Sequence, residues 1–276
     1  MLEINFDLSN FDEVEIVPIA DVHIGNPLCD IGALKDIIEY VKEEPSNPRM
    51  ARICVLNGDL TDSVTKKSVG DPFEATMSPQ LQVATILEML KPLTEPKEGY
   101  PQGKILSYCG GNHDNDRYKE TGISASQAIA VGLGLEKRYS DDGCYSFISL
   151  NRLQDNGRTV IATVYNQHMT GGGSTVGGKA NRVAKISSAV LAQVIIGSHV
   201  HTPLTFKEDI IVPSNRSLEQ HTITYLITNA FLKYGDYAQK YGYKPSTIQV
   251  PRLFIKQTRT DFRSGCKRKL YTEVLL

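Results

Sequence analysis

Apolar residues come in two rhythms along this chain. The runs Val14 to Ala20, Ile53 to Leu56 and Lys104 to Tyr108 are short and largely apolar, and each predicts a buried strand. Between them the apolar positions recur at helical spacing. Leu34, Ile37, Ile38 and Val41 follow the i, i+3, i+4, i+7 rule, and Pro45 and Pro48 close that helix. Val83, Ile86, Leu87 and Leu90 form the core stripe of a second helix, with Leu81, Ala84, Thr85 and Glu88 on another stripe. Ser78-Pro79 supplies its N-cap and first residue. A third helix is expected over Ser124 to Val131. From Cys144 the pattern changes to strands, Cys144 to Leu150 and Thr159 to Tyr165, joined through the hairpin signal Asp155-Asn156-Gly157. A glycine-rich loop follows at 171–178. Val183, Ile186, Val190 and Leu191 then predict one more helix, Gln193 to Ile196 a strand, and the remainder strands and turns. With no internal repeat and no low-complexity linker, the pattern predicts one continuous α/β (α+β) domain over residues 1–276, two packed sheets with helices outside.

Composition narrows the partners. At 276 residues and 41% hydrophobic, the chain can bury a substantial core. A net charge of −1 gives no global reason to expect nucleic acid or an anionic membrane surface. The five cysteines (Cys29, Cys54, Cys109, Cys144, Cys266) are odd in number and lack paired CxxC spacing, so reduced thiols and a cytoplasmic setting are expected. No basic start precedes an apolar core as in a secretory signal, and no apolar run approaches the ~20 residues of a membrane span.

Chemistry concentrates where the strands end. The stretch Cys109 to Asp116 reads CGGNHDND, a glycine pair followed by Asn112, His113 and Asp114, directly after a strand. Carboxyl ends of strands are where α/β sheets present functional groups. Of six histidines, His23, His113, His168, His199 and His201 fall at or just past a predicted strand end, and only His221 does not. With Asp21, Asp59 and Asn112 they make a set of oxygen and imidazole donors without thiolate. Such donors suit manganese, iron, zinc, nickel or cobalt. There are too many for one ion with an open position. They suit two divalent ions roughly 3.5–4 Å apart, with manganese the leading choice and Asp59 the natural bridge, because a carboxylate has two oxygens.

The order Asp21-x-His23, Gly58-Asp59, Gly111-Asn112-His113-Asp114, a lone His168, then Gly197-Ser198-His199-Val200-His201 resembles the calcineurin-like metallophosphoesterase superfamily. These motifs span residues 21 to 201, about two-thirds of the chain. One departure is visible: Ser198 stands between the last glycine and the histidine pair, which keeps its i, i+2 spacing. The resemblance implies a four-layer αββα sandwich. It implies that Asp21, His23 and His201 hold one metal, that Asn112, His168 and His199 hold the other, and that Asp59 bridges both. It also implies that His113 faces the leaving-group oxygen as acid and that Asp114 orients His113 through a hydrogen bond. The expected activity is hydrolysis of phosphate esters by a metal-activated hydroxide, leaning to phosphodiesters, nucleic acid or nucleotides, with phosphomonoesters the alternative substrate.

Readings from other classes compete. Gly173 to Lys179 matches GxxxxGK, a nucleotide-binding P-loop pattern, but Ala180 stands where Ser or Thr should hold magnesium. Otherwise this is a loop beside the metals from which Lys179 or Arg182 can reach a phosphate. Arg117 is a further candidate substrate contact. Residues 225–244 interleave aromatics with bases, and 256–269 are basic, a combination that suits single-stranded nucleic acid or, more simply, an aromatic packing patch and a solvated face. A non-catalytic scaffold stapled by metals is the last alternative. Neither the oligomeric state nor the natural substrate is legible.

Overall fold

The computed structural model describes the chain except residues 65–72, 115–121, 152–158, 174, 215–216, 236–238, 240–241, 243, 246 and 263–264, and except the side chains of 214 and 258–269. Two mixed sheets of six strands each face one another. The first has the order β1 (Leu2–Leu8), β6 (Cys144–Asn151), β7 (Thr159–Gln167), β8 (Val194–Gly197), β10 (Ser217–Ile227), β9 (Leu204–Ser214). The second has the order β12 (Gly265–Leu275), β11 (Arg252–Phe262), β2 (Glu13–Ile19), β3 (Met50–Asn57), β4 (Ile105–Cys109), β5 (Tyr139–Ser140). Phe6, Leu8, Ile16, Ile53, Val55, Leu106, Ile148, Val164, Ile196 and Leu226 fill the space between them.

Helices cover both outer faces. On the second sheet lie α1 (Ile31–Lys42), α2 (Pro79–Leu90) and α3 (Ala125–Gly132), which bury Leu34, Ile38 and Val41, Ile86 and Leu90, and Ile129. On the first lies α4 (Val176–Ile186), whose Val183 packs with Tyr165, Ile195 and Tyr225. The result is the expected four-layer αββα sandwich. Its helices start where side-chain oxygens satisfy free N–H groups: Ser78 accepts from Leu81, Ser124 from Gln127 and Asp30 from Ala33, each cap worth ~1 kcal/mol.

Two elements differ from the sequence reading. β1 is an additional strand, paired in parallel with β6, with Ile4, Phe6 and Leu8 turned inward. The last helix stops at Ile186, because the hydroxyls of Ser187 and Ser188 bond back to the carbonyls of Ala184 and Lys185. Val190 therefore reaches the outer core from beyond the helix, and Leu191 is exposed. In the aromatic-basic stretch, Tyr225 and Phe231 are core residues, while Lys233 and Tyr234 face solvent. Tyr237, Lys240, Tyr241, Tyr243, Arg117 and the 155–157 turn lie outside the described residues. No helix among the described residues is long and apolar enough to cross a membrane. Cys29, Cys54, Cys109 and Cys144 are free thiols.

Candidate metal centre

Strands β2, β3 and β4 run parallel, so their carboxyl ends open on one edge of the second sheet. Strands β7 and β8 do the same in the first sheet. The segments that leave these ends bind one another. Asp21 and His23 donate N–H bonds to Gly58 O and Asp59 O at 3.0 Å, and Ile24 donates to Leu60 O at 3.1 Å. His199 N–H reaches across from the first sheet to the Asp21 carboxylate, 3.2 Å from Oδ1 and 3.0 Å from Oδ2.

The backbone here is strained. Six described non-glycine residues have positive φ, and five of them are Asp21 (51°), His23 (50°), Asp59 (51°), His199 (82°) and His201 (53°). Each costs on the order of 1–3 kcal/mol and persists only where the surroundings over-determine it. Such strain aims side chains inward from consecutive positions of a loop. Glycine supplies the space: a Cβ on Gly58 would sit 2.4 Å from His168 Nδ1, and one on Gly111 would sit 2.0 Å from Asp59 Oδ1.

These constraints gather three groups of ligating atoms, each within 4.8 Å of one another: Asp21 with His23 and His201, Asp59 with His168 and His199, and His23 with Asp62 and His113. In the first, His201 Nε2 lies 3.3 Å from Asp21 Oδ1 and 3.4 Å from His23 Nε2. In the second, His168 Nε2 lies 3.2 Å from Asp59 Oδ2. The same Asp59 oxygen is 3.9 Å from His23 Nε2, so this carboxylate stands between the groups.

Asn112 completes the second group. Its Oδ1 is 2.9 Å from His168 Nε2. With the amide turned, Nδ2 would occupy that place and donate to His199 Nδ1 at 2.7 Å and Asp59 Oδ2 at 3.2 Å. A carbonyl oxygen surrounded by lone-pair atoms needs a cation or protons among them. Four acceptors converging on one point is the donor chemistry that a divalent ion satisfies, so the residues present fit metal ions.

Sequence reasoning missed Asp62. Its Oδ1 lies 3.4 Å from His23 Nδ1, and its carbonyl oxygen is 2.9 Å from His113 Nδ1. One residue thus holds two imidazoles, leaving Nε2 of His23 for the cluster. The available signal was a second carboxylate three positions after Asp59. Asp114 Oδ1 accepts from Thr61 Oγ1 at 2.9 Å and its Oδ2 from Gly111 N at 3.2 Å, so it braces the loops, while the Asp62 carbonyl holds the His113 ring. Lys179 is engaged by the chain itself. Its ammonium donates to Val200 O at 3.2 Å and Thr202 Oγ1 at 2.5 Å, and so it secures the segment that carries His199 and His201. Arg182 donates to the carbonyls of Gly172 and Thr170.

The chain matches no protein-family model and no curated protein. The chemistry of the site therefore rests on its own geometry.

Its electrostatics are those of a buried ion cluster. Burial pushes the Asp59 carboxyl up, but His168, His113 and His23 more than offset this and hold it well below the usual carboxylate range. Burial lowers His168, yet Asp59 and Asp21 raise it to about 10. Burial and the neighbouring His168 push His199 down to about 4. Burial and Asp59 push Asp114 up to about 7. For His113, burial acts downward and is outweighed by Asp59, the Asp62 carbonyl and the Asp62 and Asp114 carboxylates, so the ring is raised.

A pH dependence follows from His168. Without metal its ring stays protonated up to about pH 10. That ion pair stabilises the metal-free protein fully below the ordinary histidine value and is lost as pH rises toward 10. A cation must displace this proton. Affinity is therefore expected to rise with pH, about tenfold per unit through the neutral range, with about one proton released by His168. Calorimetric titration in buffers of different ionisation enthalpy counts that proton, and a pH-independent affinity contradicts the assignment.

Proposed function

We propose that this protein is a binuclear metal-dependent phosphoesterase of the calcineurin-like metallophosphoesterase superfamily, acting on phosphodiesters. The observation that carries this reading is the placement of the Asp59 carboxylate between two His/Asp groups, with His113 at their side. Two divalent ions, manganese foremost, would be held by Asp21, His23 and His201 on one side and Asn112, His168 and His199 on the other. Bound there, they supply Lewis acidity that neutralises phosphoryl oxygens and lowers the pKa of water.

The chain's own residues do the rest. Asp59 turns Oδ2 to both groups, 3.2 Å from His168 Nε2 and 3.9 Å from His23 Nε2, while Oδ1 accepts the His113 backbone N–H at 3.1 Å. That bond ties the backbone of the acid to the bridge. The His113 ring lies edge-on to His23, centroids 4.6 Å apart, with Nδ1 fixed on the Asp62 carbonyl, which leaves Nε2 for substrate. Burial opposes the charged ring, but Asp59, the Asp62 carbonyl and the Asp62 and Asp114 carboxylates raise its pKa, which favours a proton on Nε2 that can be donated to the departing alkoxide.

The P-loop alternative gains no support from Lys179, whose ammonium is engaged by Val200 and Thr202. A manganese-supplemented panel comparing a monoester, a diester, cyclic nucleotides, and single- and double-stranded DNA and RNA tests the proposal. Hydrolysis of diesters, abolished by a chelator and restored by manganese, is expected. Turnover of the monoester alone would move the substrate class, and full activity without metal would overturn the mechanism.

A further inference from the structure

Ser198, the residue that departs from the superfamily's pattern, lies at the end of a buried polar strut beneath the cluster. Ser107 on β4 donates to Asn166 Oδ1 on β7 at 2.7 Å, and Asn166 Nδ2 donates to Asn57 Oδ1 at the end of β3 at 3.0 Å. Asn57 Nδ2 in turn donates to Gln167 O at 3.2 Å and Ser198 Oγ at 3.1 Å. All four polar side chains are fully buried. The strut crosses from one sheet to the other directly under His168. Buried polar chains of this kind are stable only when every member is satisfied, and they then fix one geometry.

The proton count at its end decides the tautomer of His168. Ser198 has one hydroxyl proton, and it goes to Asn57 O at 2.5 Å. Only lone pairs remain on Ser198 Oγ. His168 Nδ1 lies 2.9 Å from that oxygen and 2.9 Å from Asn57 O, which is also purely an acceptor. Both neighbours therefore require a proton on Nδ1. Nε2 is left to face Asn112 and Asp59 with its lone pair once a cation replaces its proton. A backbone N–H bond to Cys109 Sγ, 3.4 Å, holds the same residue from behind.

We propose that Ser198 is a positioning residue for the metal centre, fixing the His168 ring with Nδ1 protonated so that Nε2 serves as the ligand of the second cation. The serine also stands directly before His199, whose N–H binds the Asp21 carboxylate, so one residue sets the ring of one ligand and the approach of the next. The inference rests on the metal-centre reading but not on the phosphoesterase reaction.

Ser198→Ala removes only the hydroxyl. Asn57 Nδ2 keeps Gln167 O and His168 Nδ1 keeps Asn57 O, so the fold should survive, which thermal melting verifies. Titration with manganese or zinc is expected to show one of two cations bound about 10–100-fold more weakly, the size typical of losing an outer hydrogen-bond partner of a ligand. Ser198→Gly, a second hydroxyl-free variant, should behave alike, and Ser198→Thr should restore affinity. A second readout needs no metal. Exchange of the His168 Nδ1 proton with solvent, followed by nitrogen-15 NMR in the metal-free protein, should quicken in both hydroxyl-free variants. Unchanged exchange, or a zinc-loaded ring bound through Nδ1, would overturn the proposal. A wild-type protein that takes up no cations yet shows quickened exchange in the variants would instead retain Ser198's role and defeat the metal reading.

Discussion

Asp59→Asn is expected to lose both cations together and to reduce ester hydrolysis to the metal-free background. The substitution is nearly isosteric. Its Oδ1 can still accept the His113 N–H, so the backbone of the acid keeps its tether. What disappears is the negative charge and the second oxygen, Oδ2, which lies 3.2 Å from His168 Nε2 and 3.9 Å from His23 Nε2. An amide nitrogen placed there offers no lone pair to either group. Removing a ligand should exceed the ~10–100-fold affinity loss of removing a ligand's outer partner. The metal-free variant should also lose the ion pair that raises His168 to about 10, so the proton released on any residual binding should vanish. Metal analysis and calorimetric titration read all of this. Two ions retained at wild-type affinity would remove Asp59 as the bridge and, with it, the binuclear reading.

Much of the fold is readable because its elements are amphipathic in the simplest sense. The stripe Leu34, Ile38 and Val41 is buried as its spacing predicts, as is Ile86 with Leu90. β1 carries an equally plain period-2 alternation in Ile4, Phe6 and Leu8, a signal that a reading starting from Val14 leaves out. The end of α4 is harder. Val190 continues the apolar spacing but belongs to the following turn, because two serine hydroxyls close the helix, a local competition that periodicity does not register.

The cluster is legible as a gathering of polar residues for a related reason: Asp21, Asp59, Asn112, His168 and His199 each follow an apolar strand within a few residues. What the sequence hides is contact at a distance. Asp62 sits in the same segment as Asp59, but only the turn of that loop brings it to His23 and His113. Lys179 reads as a phosphate contact because its neighbours are glycines, whereas its ammonium is used on Val200 and Thr202, more than twenty residues away. The left-handed backbone at Asp21, His23, Asp59, His199 and His201 has no sequence signature at all, since none is glycine. The strain exists because the tertiary structure demands it, and in this chain it marks the site more sharply than any single motif.

His113→Ala should separate metal binding from chemistry. The ring belongs to neither group assigned to the two cations, and its own bond is to the Asp62 carbonyl. Both ions should therefore remain. Hydrolysis of esters with poor alkoxide leaving groups should fall by ~10²–10⁴, the usual contribution of a positioned acid. Activated aryl esters, whose leaving group departs without a proton, should fall far less. The pH profile supplies an independent check. The acid must be protonated to act, and the carboxylates of Asp59, Asp62 and Asp114 raise its pKa despite burial. Wild-type activity on poor leaving groups should thus decline as pH rises and the ring loses its proton, and the variant should lack this decline. An unchanged rate on alkyl esters, or a variant that retains the same limb, would assign the proton to another group. A variant that also loses its metal would place His113 inside the cluster instead, beside His23 and Asp62, with which it already forms a third group of ligating atoms.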